Sequence, residues 1–289
     1  MGRSALAERP IGGDPSSVDD AAVLALLTEA DSAPSLPRLG GMARPDGVAI
    51  VSERVWCFSR TGGEPLSTGP MPRPPALLVR LPLARGLAKL AVSLAPLLGR
   101  RGTVRTGERL VLLAALLAPL PLAAVPGAYR TAALAASIVA LVAWMLRGRT
   151  LRLHGAEHRA IAAAELRQLV ATWHGLARPS RFSPRCGTNF AALLVPVSLV
   201  LERVWILPTA ALTPVVVSLA ALTLTMEIWI AAQRWLSSVG RVALLPGLLL
   251  QRLTTREPDL LDTRVALRAV AGVLAHDFRA SHRAAGIAP

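Results

Sequence analysis

The feature that most restricts this chain is its supply of long runs without a charged side chain. Residues 110–125, 131–146 and 206–226 contain no Asp, Glu, Lys or Arg, and 190–201 is a shorter run of the same kind, closed by Glu202-Arg203. A soluble globule of ordinary composition has roughly a quarter of its residues charged. Here 17% are charged and 53% hydrophobic, so the natural solvent for much of the chain is a lipid bilayer. About 20 apolar residues cross the hydrocarbon core as a helix. The first two runs are a little short, but Arg109, Arg130 and Arg147 flank them and can reach outward to water. Pro126-Gly127 turns the chain between them, which reads as a helical hairpin. The expected fold is mainly α: a polytopic membrane protein with about four transmembrane helices.

Charge then sets the orientation. The chain has 32 Lys+Arg against 18 Asp+Glu, a formal net charge of +14. Such an excess suits nucleic acid or the cytoplasmic side of membrane spans, where basic residues accumulate. Residues 148–189 hold Arg149, Arg152, Arg159, Arg167, Arg178, Arg181 and Arg185, whereas the two short connections hold only Arg130 and Arg203. This distribution predicts a multi-pass protein of the plasma membrane with both termini and the central segment in the cytoplasm. It accounts for the charge with no nucleic-acid partner, and the 4% aromatic content argues against a base-stacking surface. Two cysteines, Cys57 and Cys186, exclude a disulfide framework.

Residues 1–36 read as a flexible extension without a secretory leader, in which Ser17 caps a short helix through about Ala30. Residues 37–75 read as a small β element, with apolar stretches at 48–51 and 55–58, a turn at Thr61-Gly62-Gly63 and a proline-rich linker over 65–75. A membrane domain over 76–275 follows, interrupted by the polar segment 148–189. Within it, residues 244–259 suggest an interfacial amphipathic helix followed by a turn, or a lid or ligand segment at the membrane surface, and 262–275 a terminal helix. Residues 276–289 read as a tail.

The chemistry-bearing residues cluster in the polar segment. Its composition is helical, and on a helix His154 and His158 stand one turn apart on one face, with Glu157 beside them. H-x-x-E-H is the inverted zincin spelling, in which two imidazoles hold a metal and the Glu is the general base. A solvated helix face bearing two ordinary histidines is the competing reading. Further ligands are sought in Cys186 and in Glu227, an acid set between Met226 and Ile228 at membrane depth, where ionisable groups are expensive and commonly functional. Glu257 and Asp259 are further acidic candidates. Glu165 lies on the His154 face but about 10 Å from His158 along the axis, which suits a supporting role. Imidazoles with a thiolate or carboxylate favour zinc over iron or manganese.

The motifs His154-Gly155-Ala156-Glu157-His158, Pro184-Arg185-Cys186-Gly187-Thr188, Met226-Glu227-Ile228 and Pro246-Gly247-Leu248 through Arg256-Glu257-Pro258-Asp259 together resemble the YqhQ-like family, bacterial membrane proteins regarded as metal-dependent enzymes. The stretch Gly40 to Val48 is similar to that family's N-terminal element, with Asp46 where the family has Glu and Met42 where it has Gln. Ser183 stands where a His commonly precedes Pro-Arg-Cys-Gly. The resemblance implies a site at the cytoplasmic face that acts on a small-molecule substrate, with Glu157 catalytic, His154, His158, Cys186 and Glu227 as ligands, and Glu165, Asp46, Arg185, Arg256, Glu257 and Asp259 supporting the site or the substrate. Proteins that look like this family are associated with natural-product pathways that make hydrazine or azoxy groups. The departures suggest a specialised member. The expected activity is therefore rearrangement of an aminoacyl hydroxylamine ester into a hydrazine, with ester or amide hydrolysis as the alternative and a non-catalytic membrane scaffold as the reading from another class.

Overall fold

Alternation decides how the N-terminal strands sit. Strands β1 (Gly40–Arg44), β2 (Gly47–Val51), β3 (Val55–Arg60) and β4 (Ser67–Pro70) form an antiparallel sheet in the order β1-β2-β3-β4. Successive side chains of a strand point to opposite faces. Val48, Ile50, Val55 and Cys57 therefore enter one core, and Ala49, Trp56 and Phe58 pack on the other face. The computed structural model that shows this describes residues 20–81, 84–98, 106–117, 148–206, 213–234 and 238–284, with isolated positions between 129 and 143. Strand β4 occupies part of the stretch expected to be a linker. Its sequence Ser-Thr-Gly-Pro carries no alternating apolar signal, and it pairs at the sheet edge, where a terminal proline is tolerated.

Segments far apart in sequence build one core on the Val48/Ile50 face. Helix α1 (Asp20–Ser32) buries Val23, Leu27 and Ala30 on one face, so this stretch is part of the core and not of a loose extension. Its Asp31 carboxylate accepts the backbone N–H groups of Leu169 and Val170, both at 2.9 Å, at the start of a short helix, Leu169–Trp173. The helix of the polar segment, Thr150–Leu166, packs against β1 and β2. The last helix, Leu260–Ala284, is the most central: Ala266, Leu267, Ala269, Val270, Val273 and Leu274 are fully buried. It continues well past residue 276, where a tail was expected.

The remaining helices are α2 (Ala76–Arg80), α3 (Ala84–Leu98) and α4 (Thr106–Leu117), followed by the polar-segment helices, now α5 (Thr150–Leu166) and α6 (Leu169–Trp173). Then come α7 (Gly187–Val204), α8 (Thr213–Arg234), α9 (Ser238–Thr254) and the terminal helix α10 (Leu260–Ala284). Two stretches are long and apolar enough to cross a membrane, Gly187–Val204 and Val215–Gln233. They pack on each other, α9 packs on both, and α7 keeps Val195, Leu199, Val200 and Val204 exposed, as a lipid-facing helix does. The hairpin expected over 110–125 and 131–146 falls mostly outside the described residues, with only its first turns seen in α4. Two candidate spans are thus observed among the described residues where four were expected.

Candidate metal centre

His154 and His158 lie on α5, and their rings meet edge to face with centroids 4.5 Å apart. Each Nδ1 is committed to a backbone carbonyl: His154 donates to Thr254 at 2.8 Å and His158 to Arg181 at 2.6 Å. A neutral imidazole that donates from Nδ1 carries its lone pair on Nε2. One ring nitrogen of each histidine and Cys186 Sγ lie within 4.8 Å of one another. His154 Nε2 is 3.2 Å from that sulfur, and His158 Nε2 is buried without a hydrogen-bond partner among the described residues. Carbonyl acceptors behind metal-binding imidazoles fix tautomer and ring orientation in the same way. Cys186 is placed by its position at the N-cap of α7, where Sγ accepts from the Thr188 hydroxyl at 3.2 Å and backbone N–H at 3.5 Å.

Two chain segments carry these supports, and polar side chains tie them together. Arg181, whose carbonyl takes the His158 proton, donates through Nη1 to the Thr255 carbonyl at 3.1 Å, beside the Thr254 carbonyl used by His154. Gln251 and Asn189 are fully buried and clamp Ser183: Gln251 Nε2 and Asn189 Nδ2 donate to its carbonyl at 2.7 and 2.9 Å, and its N–H returns to Gln251 Oε1 at 2.9 Å. Thus Ser183 contributes to backbone order, and its hydroxyl accepts the Arg185 N–H at 3.2 Å. Thr254, Arg181, Gln251 and Asn189 did not stand out in the sequence. For Gln251 and Asn189 a signal existed, since each is an amide beside or within an apolar run.

The acidic candidates go elsewhere. Glu157 lies under the edge strand β1: it accepts the Ala43 backbone N–H, and a Cβ on Gly41 would sit 2.8 Å from its Cγ. Burial pushes its carboxyl up to about 7, against the pull of His154 and the Ala43 hydrogen bond. It is not among the converging ligand atoms. Glu227 is held bidentately by Arg85 of α3, with Nε at 2.7 and 3.0 Å from its two oxygens, and is not brought to the trio. Arg185 pairs with Glu165 at the far end of α5, and burial together with Arg38 draws the Arg185 guanidinium below its ordinary range. Asp46, in the β1–β2 turn, pairs with Arg44 at 3.1 Å. Glu257 accepts from Arg159 at 2.7 Å, Asp259 accepts the Asp262 N–H at 2.7 Å, and Arg256 ties its own N–H to the Leu151 carbonyl at 2.9 Å.

A model for the family described as "Protein of unknown function (DUF1385)" matches residues 79–276. The chain belongs to the DUF1385 family. This agrees with the resemblance drawn from the four motifs. The DUF1385 match contains His154, His158 and Cys186 together with Thr254 and Arg181, the residues that orient the imidazoles. It leaves out α1 and the sheet, although β1 supplies the contact that holds Glu157. No curated protein and no solved structure matches the chain.

Proposed function

We propose that this protein is an integral-membrane, metal-dependent enzyme whose ion is held by His154, His158 and Cys186. The observation that carries the proposal is that a ring nitrogen of each histidine and the Cys186 sulfur lie within 4.8 Å of one another while both Nδ1 atoms are tied to carbonyls. The residues fit a divalent ion: His158 Nε2 is a buried acceptor without a partner among the described residues, and an N/N/S donor set suits zinc with one position left for substrate. A zinc ion bound there supplies Lewis acidity toward an acyl oxygen. The apolar helices α7 and α8, with the uncharged runs 110–125 and 131–146, are read as four spans, and the arginine-rich segment 148–189 as cytoplasmic.

The reaction we place first is rearrangement of an aminoacyl ester of a hydroxylamine. The amine nitrogen attacks the hydroxylamine nitrogen, the N–N bond forms, the N–O bond breaks, and the carboxylate leaves with that electron pair as the amine loses a proton. The product is an isomer of the ester, so no external oxidant or reductant is needed. An aminoacyl ester brings its own nucleophile, so this reading needs no activated water, and Glu157, whose carboxyl is pushed up to about 7 by burial beside His154, is the base assigned to the amine proton. The test is mass spectrometry of an isotopically labelled ester incubated with the purified protein. A hydrazino acid of unchanged mass is expected, and it should vanish with His158→Ala. Hydroxylamine plus free amino acid as the only products would make the protein a hydrolase, and no turnover above the His158→Ala control would leave the scaffold reading.

A further inference from the structure

A cavity of about 320 Å³ is lined by none of the three converging donors His154, His158 and Cys186. The end of α6, the loop through Arg178 and the segment Glu257–Leu260 enclose it, with Arg159 of α5 in its wall. Thr172, only 1% exposed, also lines it, and its Oγ1 has no hydrogen-bond partner among the described residues. A buried hydroxyl left unpaired costs about 1–3 kcal/mol. A group that enters the cavity and accepts from this hydroxyl would offset that cost.

The charges in the wall define what enters. Its two carboxylates are already engaged. Glu257 pairs with Arg159 at 2.7 Å and faces Arg181 at 3.9 Å, while Asp259 accepts the Asp262 N–H at 2.7 Å with Arg152 at 3.9 Å. Arg159 is buried and uses Nε on the Pro179 carbonyl and Nη2 on Glu257, which leaves guanidinium N–H groups over. Arg178 is exposed at the rim and has no ion-pair or hydrogen-bond partner among the described residues. Among the described residues of the wall, the Thr172 hydroxyl, the Arg178 guanidinium and part of that of Arg159 are donors without a partner, beside the exposed ring of His174. Guanidinium geometry matches carboxylate and phosphate oxygens.

We infer that this cavity binds a small oxyanion, the carboxylate or phosphate group of a soluble metabolite, at a site distinct from the metal. Its volume is at the lower end of small-molecule pockets and suits a compact metabolite. Titration calorimetry on the full-length protein in detergent, stripped of metal with chelator and held at constant ionic strength with chloride, tests it with two probes, sodium phosphate and sodium malonate. At least one probe should bind saturably at one per chain. Arg178→Gln, a surface change that leaves the core intact, should weaken it at least tenfold and Thr172→Val at least threefold, while Cys186→Ser, which removes a metal ligand, should change it less than twofold. Absence of saturable binding by both probes, affinity indifferent to Arg178→Gln, or equal loss in Cys186→Ser would each overturn the inference. The last outcome would place the anion on the metal centre instead.

Discussion

Gly155→Ala removes no donor, acceptor or charge, yet it should weaken metal binding. Gly155 lies in α5 between His154 and Ala156, and a Cβ added there would be 2.2 Å from the Arg256 carbonyl oxygen and 3.2 Å from Pro258 Cδ. Ordinary contact begins near 3.4 Å, so the segment around Arg256 has to retreat by more than 1 Å. That segment is fastened to α5 by the Arg256 N–H on the Leu151 carbonyl at 2.9 Å and by His154 Nδ1 on the Thr254 carbonyl at 2.8 Å. A shift of that size takes both beyond hydrogen-bonding range. Alanine gains about 1 kcal/mol of helix propensity over glycine, overpacking costs about 1–3 kcal/mol and the two lost hydrogen bonds about 0.5–1.5 kcal/mol each, so the net loss of stability should be roughly 1–5 kcal/mol. The imidazole, however, loses the carbonyl that fixes its tautomer, and loss of such a supporting partner typically lowers metal affinity about 10–100-fold. Zinc affinity measured by competition with a chromophoric chelator, beside thermal unfolding of the same preparations, reads both effects. Gly62→Ala, where an added Cβ meets nothing within 4 Å, is the control. A Gly155→Ala protein that folds and binds zinc within twofold of wild type would refute the reasoning.

Burial holds the Cys57 thiol up at about 12 against an ordinary 9.0, so its thiolate at pH 8 is about one part in ten thousand; peptide mapping after iodoacetamide treatment of the folded protein at that pH should find it unmodified, with rapid alkylation only in denaturant. Because this pKa is raised, ionisation favours the unfolded chain, and Cys57→Ala should flatten the fall in stability as pH rises from 9 toward 12 in a pH series of thermal scans. Gly272→Ala would set a Cβ 2.3 Å from Cys57 Sγ and should destabilise the protein by about 1–3 kcal/mol, with Cys57→Ala in the same chain restoring most of the loss in the melting temperature. Arg85→Gln leaves the Glu227 carboxylate without its guanidinium and should lower thermal stability more than the Arg85→Gln/Glu227→Gln double variant does; equal or additive losses would mean that the pair is not coupled.

What the sequence disclosed depended on whether side-chain identity or backbone position carried the information. The two histidines were legible because a spacing of four on a helix fixes a shared face. Cys186 was legible through its motif, although its meeting with His154 required α7 to start beside α5. The carbonyls of Thr254 and Arg181 were not legible, since every residue offers the same acceptor and only the fold decides which one faces an imidazole. Glu227 stood out as an acid within an apolar run and was expected as a metal ligand, but its partner is Arg85, brought there by the packing of α3 on α8. The same limit applies to the fold. The pattern Val23, Leu27, Ala30 is a helical stripe that marks α1 as a core element, whereas β4 has no pattern and exists because the sheet edge next to β3 accepts it.

X-ray absorption at the zinc edge of the metal-loaded, detergent-purified protein tests the central claim most directly. The account predicts one sulfur near 2.3 Å and two imidazole nitrogens near 2.0–2.1 Å, with the sulfur shell lost in Cys186→Ser. A shell made of oxygen and nitrogen alone in the wild type, unchanged by Cys186→Ser, would contradict it.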